Sequence, residues 1–240
     1  MSIILHELAL QNDVRPSPFC WRVRLALEHK GLAYDTVPAA FTAIGKAAGG
    51  GHKTVPILED QSRPGVSAMT DSWAIANYLE EAYPDRPSLF GGGTQGPGWC
   101  HALELHHWMP VVVHFPALKV LVLDVYDRIQ PQDRAHFLET REKRFGMTIE
   151  AFCDGDLDEK VAAVRKALEP LRAVAKERPF LSGATPLYAD YVVAGFFFWW
   201  RSVSPVGLLT ADDPLTPWFE RILKRYDRIA RESNRAWQGP

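Results

Sequence analysis

Over residues 84–98 the chain carries three prolines and five glycines, a density of breakers that neither a helix interior nor a strand accommodates. This stretch is the best candidate linker, and it divides 240 residues into two parts of unlike pattern. Before it, short apolar runs alternate with helix-length segments. After it, long segments of helical period follow with no convincing strand pair.

In the first part Ile3–Leu8 reads as a half-buried strand. The apolar side formed by Trp21, Val23, Leu25, Ala26 and Leu27 reads as a helix ending near Lys30-Gly31, and residues 34–37 read as a second strand. Together they have the length of a βαβ unit. Residues 41–51 read as a short helix or an ordered loop. Residues 54–60 and 66–69 pair as a hairpin with Pro56 at a strand end, because proline donates no ladder hydrogen bond. A helix then starts at Asp71-Ser72, with Trp73, Ile75, Ala76, Leu79 and Ala82 on its periodic face, and Pro84 closes it.

The second part predicts one helix over 99–125 broken or kinked by Pro110 and Pro116, a charged amphipathic helix over 133–149, and a helix over 156–176 bent at Pro170. Tyr188–Val203 is apolar almost all round and reads as a central buried helix. Residues 216–237 close the chain.

Lys+Arg 27 against Asp+Glu 29 leaves a formal charge of −2, so no global basic field argues for nucleic acid or an anionic membrane surface. Three cysteines, Cys20, Cys100 and Cys153, are an odd number that favours a reducing compartment. With no signal-peptide pattern at the start, a cytoplasmic location is expected. The most apolar window, 192–200, is too short for a bilayer, and no spanning helix is expected. His101, His106, His107 and His114 lack an i, i+4 pair with a nearby carboxylate, so no metal site is expected.

The stretch Pro16-Ser17-Pro18-Phe19-Cys20-Trp21-Arg22 places a hydroxyl where a strand-like opening gives way to a helix, with Pro18 in the first turn. Two readings stand side by side: Ser17 as an ordinary N-cap, and Ser17 as a hydroxyl donor beside free N–H groups that favour an anion such as a thiolate. Ser17-Pro18-Phe19-Cys20 has the shape of a Cys-Pro-x-Cys redox turn with its first Cys replaced, which removes disulfide chemistry but keeps a donor for another molecule's thiolate. Cys20, a turn deeper, is a rival nucleophile that more readily packs inside.

In order and spacing, that turn, Thr54-Val55-Pro56-Ile57-Leu58, Asp71-Ser72-Trp73, and Pro179-Phe180-Leu181-Ser182-Gly183 followed by Ala189-Asp190-Tyr191 resemble the cytosolic glutathione transferases. Within them the chain is most similar to the bacterial β-etherase-like group, matched at Phe41-Thr42-Ala43-Ile44, Tyr83-Pro84-Asp85-Arg86-Pro87 and Pro131-Gln132-Asp133-Arg134. The resemblance implies a thioredoxin-like α/β glutathione-binding domain over 1–85, a linker over 86–98 and an all-α substrate-binding domain over 99–240. It implies glutathione as co-substrate without a metal, Ser17 as the catalytic hydroxyl, and a glutathione site of Ser17, Phe19, His52, Lys53, Val55, a cis Pro56, Asp71 and Ser72. Trp99, His107, Trp108 and Phe115 are the expected electrophile site, and a homodimer is expected. The implied reaction is attack of the glutathione thiolate on a small hydrophobic, aromatic electrophile, with cleavage of β-aryl ethers within its range. A glutathione or hydrophobic-ligand carrier of the same fold is the alternative. One departure from the family pattern is Leu187 three residues before Asp190, where the family places a capping Ser or Thr; either Thr185 caps the helix or Asp190 serves alone.

Overall fold

The βαβ expectation is met by β1 (Ile3–Leu8) and β2 (Tyr34–Ala39), which run parallel with Ile3 opposite Tyr34, connected through α1 (Pro18–His29). The computed structural model describes residues 3–63 and 65–234. β3 (Ile57–Asp60) runs antiparallel to β1 with His6 opposite Ile57, and β4 (Met69–Thr70) pairs with β3, giving the order β2-β1-β3-β4. β3 begins after the cis Val55–Pro56 bond rather than at residue 54, and the second hairpin arm is only two residues long. Residues Phe41–Gly49 form an irregular 3-10 segment, with Ala48 in the left-handed region at φ 49°.

Alternation along the strands fills both faces of the sheet. Ile3, Leu5 and Leu58 join Val23, Leu27, Ile75 and Leu79 in the main core, whereas Leu8, Ala39, Ile44 and Ile57 form a second, smaller cluster. Glu7, on the same face of β1 as Ile3 and Leu5, is fully buried with Arg15 Nη1 2.8 Å away and Arg24 Nε 3.7 Å away. Burial pushes its carboxyl pKa up, against the pull of the two guanidinium groups.

Helix α2 (Ser72–Ala82) packs on α1. Lys30 Nζ lies 2.9 Å from Glu80 Oε2, and Glu80 accepts the Leu89 amide at 2.8 Å, so a buried ion pair fastens the breaker-rich stretch to both helices. Past that stretch, α3 (Pro97–Met109), a π-helical turn (Pro110–His114) and α4 (Phe115–Asp127) run on without interruption. An 18-residue window within this 31-residue run has a mean hydropathy of 1.6, so the run is long and apolar enough to cross a membrane by length and composition alone. Here it packs against α7 (Leu157–Ala167) and α9 (Tyr188–Val203).

Two expected helices are each two, and a third, expected over 133–149, ends early. Gly146, at φ 72°, ends α5 (Arg134–Phe145), and Thr148 then caps α6 (Ile149–Phe152) by accepting the Ala151 amide. Helix α7 stops at Leu168 because Pro170 falls in the first turn of α8 (Glu169–Glu177). Helix α10 (Leu215–Arg225) breaks at Tyr226 before α11 (Asp227–Asn234), and the last expected helical residue, Trp237, lies outside the described residues.

Every residue of α9 except Arg201 is buried. Its start relies on Asp190 alone: the carboxylate accepts the amides of Leu181 (2.7 Å), Ser182 and Leu187 (both 3.1 Å) and the Trp218 indole N–H (2.9 Å). Helix α9 also fixes the start of α1. A Cβ on Gly195 would stand 2.5 Å from the Pro18 carbonyl oxygen and 2.9 Å from Arg22 Cγ, so only glycine lets the two backbones approach this closely.

Candidate active site

Ser17 sits at the N-cap of α1 with extended backbone (φ −95°, ψ 113°), and Pro18 occupies the first turn. Its Oγ accepts the Cys20 amide at 3.3 Å, leaving the O–H available to donate. The preceding loop is held from two sides, since the Trp21 indole N–H and the Ser202 hydroxyl both donate to the Arg15 carbonyl at 2.9 Å. Capping and donation are therefore compatible: the hydroxyl accepts from the helix while its proton is left to donate at the helix N-terminus.

Ser17 and Phe19 open onto a cavity of about 220 Å³ between the two halves of the chain. One wall is Leu118, Val122 and Val125 of α4; Phe41, Phe137 and Trp199 supply aromatic surface; Arg141 and Arg144 reach it from α5. His114 also lines it, carried there by the π turn. Its ring stacks on Phe196 and meets Phe19 edge-on, with Nε2 buried and unpartnered. Burial holds the imidazole well below its ordinary pKa, so it is neutral at pH 7.

Arg22, one turn along α1, is fully buried beneath this site, 4.7 Å over the Phe19 ring. Its Nη1 lies 3.4 Å from His106 Nδ1, while Nε and Nη2 have no partner. Burial lowers its pKa to about 10 and, together with Arg22, lowers that of His106 to about 4. Cys20 is 2% exposed, and burial followed by the Glu7 charge pushes its thiol up to about 12, so it supplies no thiolate at neutral pH.

The remaining expected glutathione contacts lie on the first half. Asp71, at φ 76°, caps α2 by accepting the amides of Trp73 (2.8 Å) and Ala74 (3.0 Å), so its own carboxylate already occupies those two donors. A non-glycine residue in this backbone region costs energy and is over-represented at ligand clamps. The Ser72 hydroxyl is buried without a partner, and its carbonyl accepts from Tyr188 of α9 at 2.7 Å. Val55 is half-buried before the cis Pro56; His52 is half-buried and Lys53 exposed in the segment leading to β3. None of these joins Ser17 and Phe19 among the residues that line the cavity.

The four expected electrophile contacts also lie away from it. Trp99 packs on Trp73 and donates its indole N–H to Asn77 at 2.6 Å, bracing α3 on α2. His107 is exposed on α3 beside His106, and Trp108 is half-buried against the core. Phe115 is 49% exposed and meets Phe152 edge-on. Trp99, His107 and Trp108 precede the π turn and do not line the cavity; Pro110, His114, Leu118 and Val122, each four residues after the last, do line it, and Phe115 is one residue off that line. Pro110 and Pro116 signalled a disturbance but not its handedness, and Arg141 and Phe137 carried no signal beyond amphipathic period.

A βαβ sheet with an antiparallel hairpin, a cis proline before that hairpin, and an all-helical half closing over the start of α1 together define the glutathione-transferase fold, thioredoxin-like in its first domain. The family model for the glutathione S-transferase N-terminal domain matches residues 16–82 and that for the C-terminal domain matches 103–212. The chain belongs to the glutathione S-transferase family. It is 24% identical over 221 residues to a probable glutathione S-transferase of Oryza sativa, covering 86% of this chain and 80% of that one. It is 26% identical over 221 residues to a glutathione S-transferase-like protein of Aspergillus flavus, covering 78% and 77%. In fold it is similar to a glutathione transferase from Phanerochaete chrysosporium (TM-score 0.73, 24% identity, 99% of each chain) and to one from Ceriporiopsis subvermispora in complex with glutathione (TM-score 0.72, 22% identity, 98% of each chain).

Proposed function

We propose that this chain binds glutathione and, through the Ser17 hydroxyl, activates its thiol for attack on an aromatic electrophile. The observation that carries this reading is a hydroxyl with a proton to donate, at a helix N-terminus, opening onto an apolar cavity walled by aromatic and aliphatic side chains. Val55 before the cis Pro56 pairs with the peptide backbone of glutathione, Asp71 and Ser72 hold its γ-glutamyl end, and His52 or Lys53 meets the glycyl carboxylate. The domain assignment (residues 1–85 for glutathione, 86–98 as connector, 99–240 for the electrophile) belongs to the same proposal, as do a homodimer and a cytoplasmic location.

A thiol of pKa ~8.5 is only a few per cent thiolate at pH 7, and lowering it by about two units requires roughly 2.7 kcal/mol of preferential stabilisation of the charged form. A charge-assisted hydrogen bond and a helix N-terminus supply energies of that order. In the reaction the sulfur forms a bond to the electrophilic carbon while the leaving group departs with the bonding pair. In a β-aryl ether, the finer form of this reading, sulfur attacks the β-carbon and the C–O pair leaves on the aryloxide.

Calorimetry of glutathione binding, with thiolate absorbance followed against pH for wild type and Ser17→Ala, tests the proposal. The expected result is nearly equal affinity, a sulfur pKa about one unit higher in the variant because the helix N-terminus remains, and turnover lowered roughly tenfold. Equal turnover would remove Ser17 from the mechanism. Binding by wild type with an unshifted sulfur pKa would favour the carrier.

A further inference from the structure

Arg141 is a half-buried cation without a counter-ion in a wall of the electrophile cavity. Its guanidinium lies 4.4 Å from the centroid of the Phe137 ring and 5.1 Å from that of Phe41, and Nη1 donates only to the Thr140 hydroxyl, at 3.0 Å. The charge that acts on it is Arg144, another cation lining the same cavity; burial and this neighbour lower its pKa to about 10. Neither arginine forms an ion pair among the described residues. Asp133, bound to the backbone beside Phe41, is committed elsewhere: its carboxylate accepts the Phe41 amide at 2.8 Å, the Thr42 amide at 3.0 Å and the Thr42 hydroxyl at 2.6 Å. A partly desolvated cation is costly unless an anion meets it. None of the described residues supplies one.

We propose that the electrophile brings that anion: the cavity selects a single-ring aryl compound bearing a carboxylate, which Arg141 and Arg144 bind while Ser17 holds the attacking sulfur. The inference rests on the transferase reading. Size agrees with it, because the cavity of about 220 Å³ exceeds the ~150 Å³ that suffices for benzene. The planar guanidinium matches a carboxylate bidentately, and its stacking on Phe41 and Phe137 sets its orientation before the ligand arrives.

The test compares 4-chloro-3,5-dinitrobenzoate with its methyl ester as glutathione acceptors. In each, a C–S bond forms at the ring carbon bearing chlorine, the C–Cl bond breaks, and chloride leaves with the pair and with the charge the thiolate brought. Each kcat/KM is divided by the uncatalysed rate constant, and the benzoate-to-ester ratio is the readout. Wild type is expected to favour the benzoate by about tenfold or more, through KM, with the preference falling as salt is raised from about 20 mM to about 500 mM. Arg141→Gln and Arg144→Gln each lower the ratio, the double variant brings it close to one, and Arg141→Lys retains part of it. Arg144 is exposed, so Arg144→Gln keeps the test sound even where Arg141→Gln perturbs packing. Equal handling of benzoate and ester by wild type, or an unchanged ratio in the double variant, would overturn this inference and leave the transferase reading standing. Failure to consume either compound, with no glutathione bound, would overturn the transferase reading and this inference with it.

Discussion

Replacing Gly195 by alanine separates helix propensity from the demands of packing. In an exposed helix the change would stabilise by about 1 kcal/mol, since glycine is the poorer helix former. In α9 the new methyl would lie 2.5 Å from the Pro18 carbonyl oxygen, where ordinary contact begins near 3.4 Å, and 2.9 Å from Arg22 Cγ. The oxygen belongs to backbone and has no rotamer to escape into, so α1 and α9 must separate by several tenths of an ångström. Overpacking of this kind costs typically 1–3 kcal/mol, which cancels or outweighs the propensity gain; the expected net loss is up to about 2 kcal/mol. For a chain of this length that lowers Tm by up to roughly 8 °C. Urea denaturation followed by tryptophan fluorescence measures it, and the separation also moves Ser17, so KM for glutathione rises. A variant as stable as wild type or more so, with unchanged KM, would refute the argument that this close approach positions the start of α1.

Asp190→Asn is expected to cost on the order of 3–5 kcal/mol, because four donors converge on its two oxygens and an amide nitrogen accepts from none of them; a loss below about 1 kcal/mol in urea titration would refute the assignment of the helix start to Asp190. Burial lowers the pKa of His29 to about 4, against an ordinary value near 6.5, so its stabilisation is complete above that value and is lost as pH falls toward 4, by on the order of 3 kcal/mol for this one group. His106 and His114 act in the same direction, and Glu7, whose pKa is raised, acts in the opposite one. The urea midpoint should fall between pH 7 and pH 5, and the slope should be shallower in His29→Gln; equal slopes would show that His29 is not neutral by burial.

Where local chemistry and tertiary contact agreed, the sequence was a sufficient guide. β1 and α9 have the bounds their patterns predict, and Ser17, Asp71 and Pro56 stand where capping and ladder rules put them. The misses have two causes: local breakers such as Pro170 and Gly146 whose effect the periodic pattern hid, and contacts distant in sequence. The β1 pattern carries no sign that Arg15 and Arg24 meet the buried Glu7. The expected helices over 156–176 and 216–237 divide at Leu168 and Tyr226, although their periodic faces continue across the breaks. Trp99 and Trp108 have the composition of a binding surface, but whether an aromatic on a helix faces ligand or neighbouring helix depends on which helix lies opposite. His114 reads in the sequence only as a member of a histidine cluster without metal spacing; it lines the cavity one turn after Pro110.

The uninterrupted run from Pro97 to Asp127 carries its phase change inside an intact hydrogen-bonded helix. Point substitutions in α4 alter the wall facing the electrophile one side chain at a time. Loss of a single residue within Pro110–His114 would instead exchange that wall wholesale, turning a different stripe of α4 toward the cavity while the Ser17 turn and the cis proline stay as they are. An insertion or deletion of one residue at this turn would therefore change which stripe of α4 lines the cavity without touching the first half of the chain, and positions downstream of it would then no longer be equivalent in space.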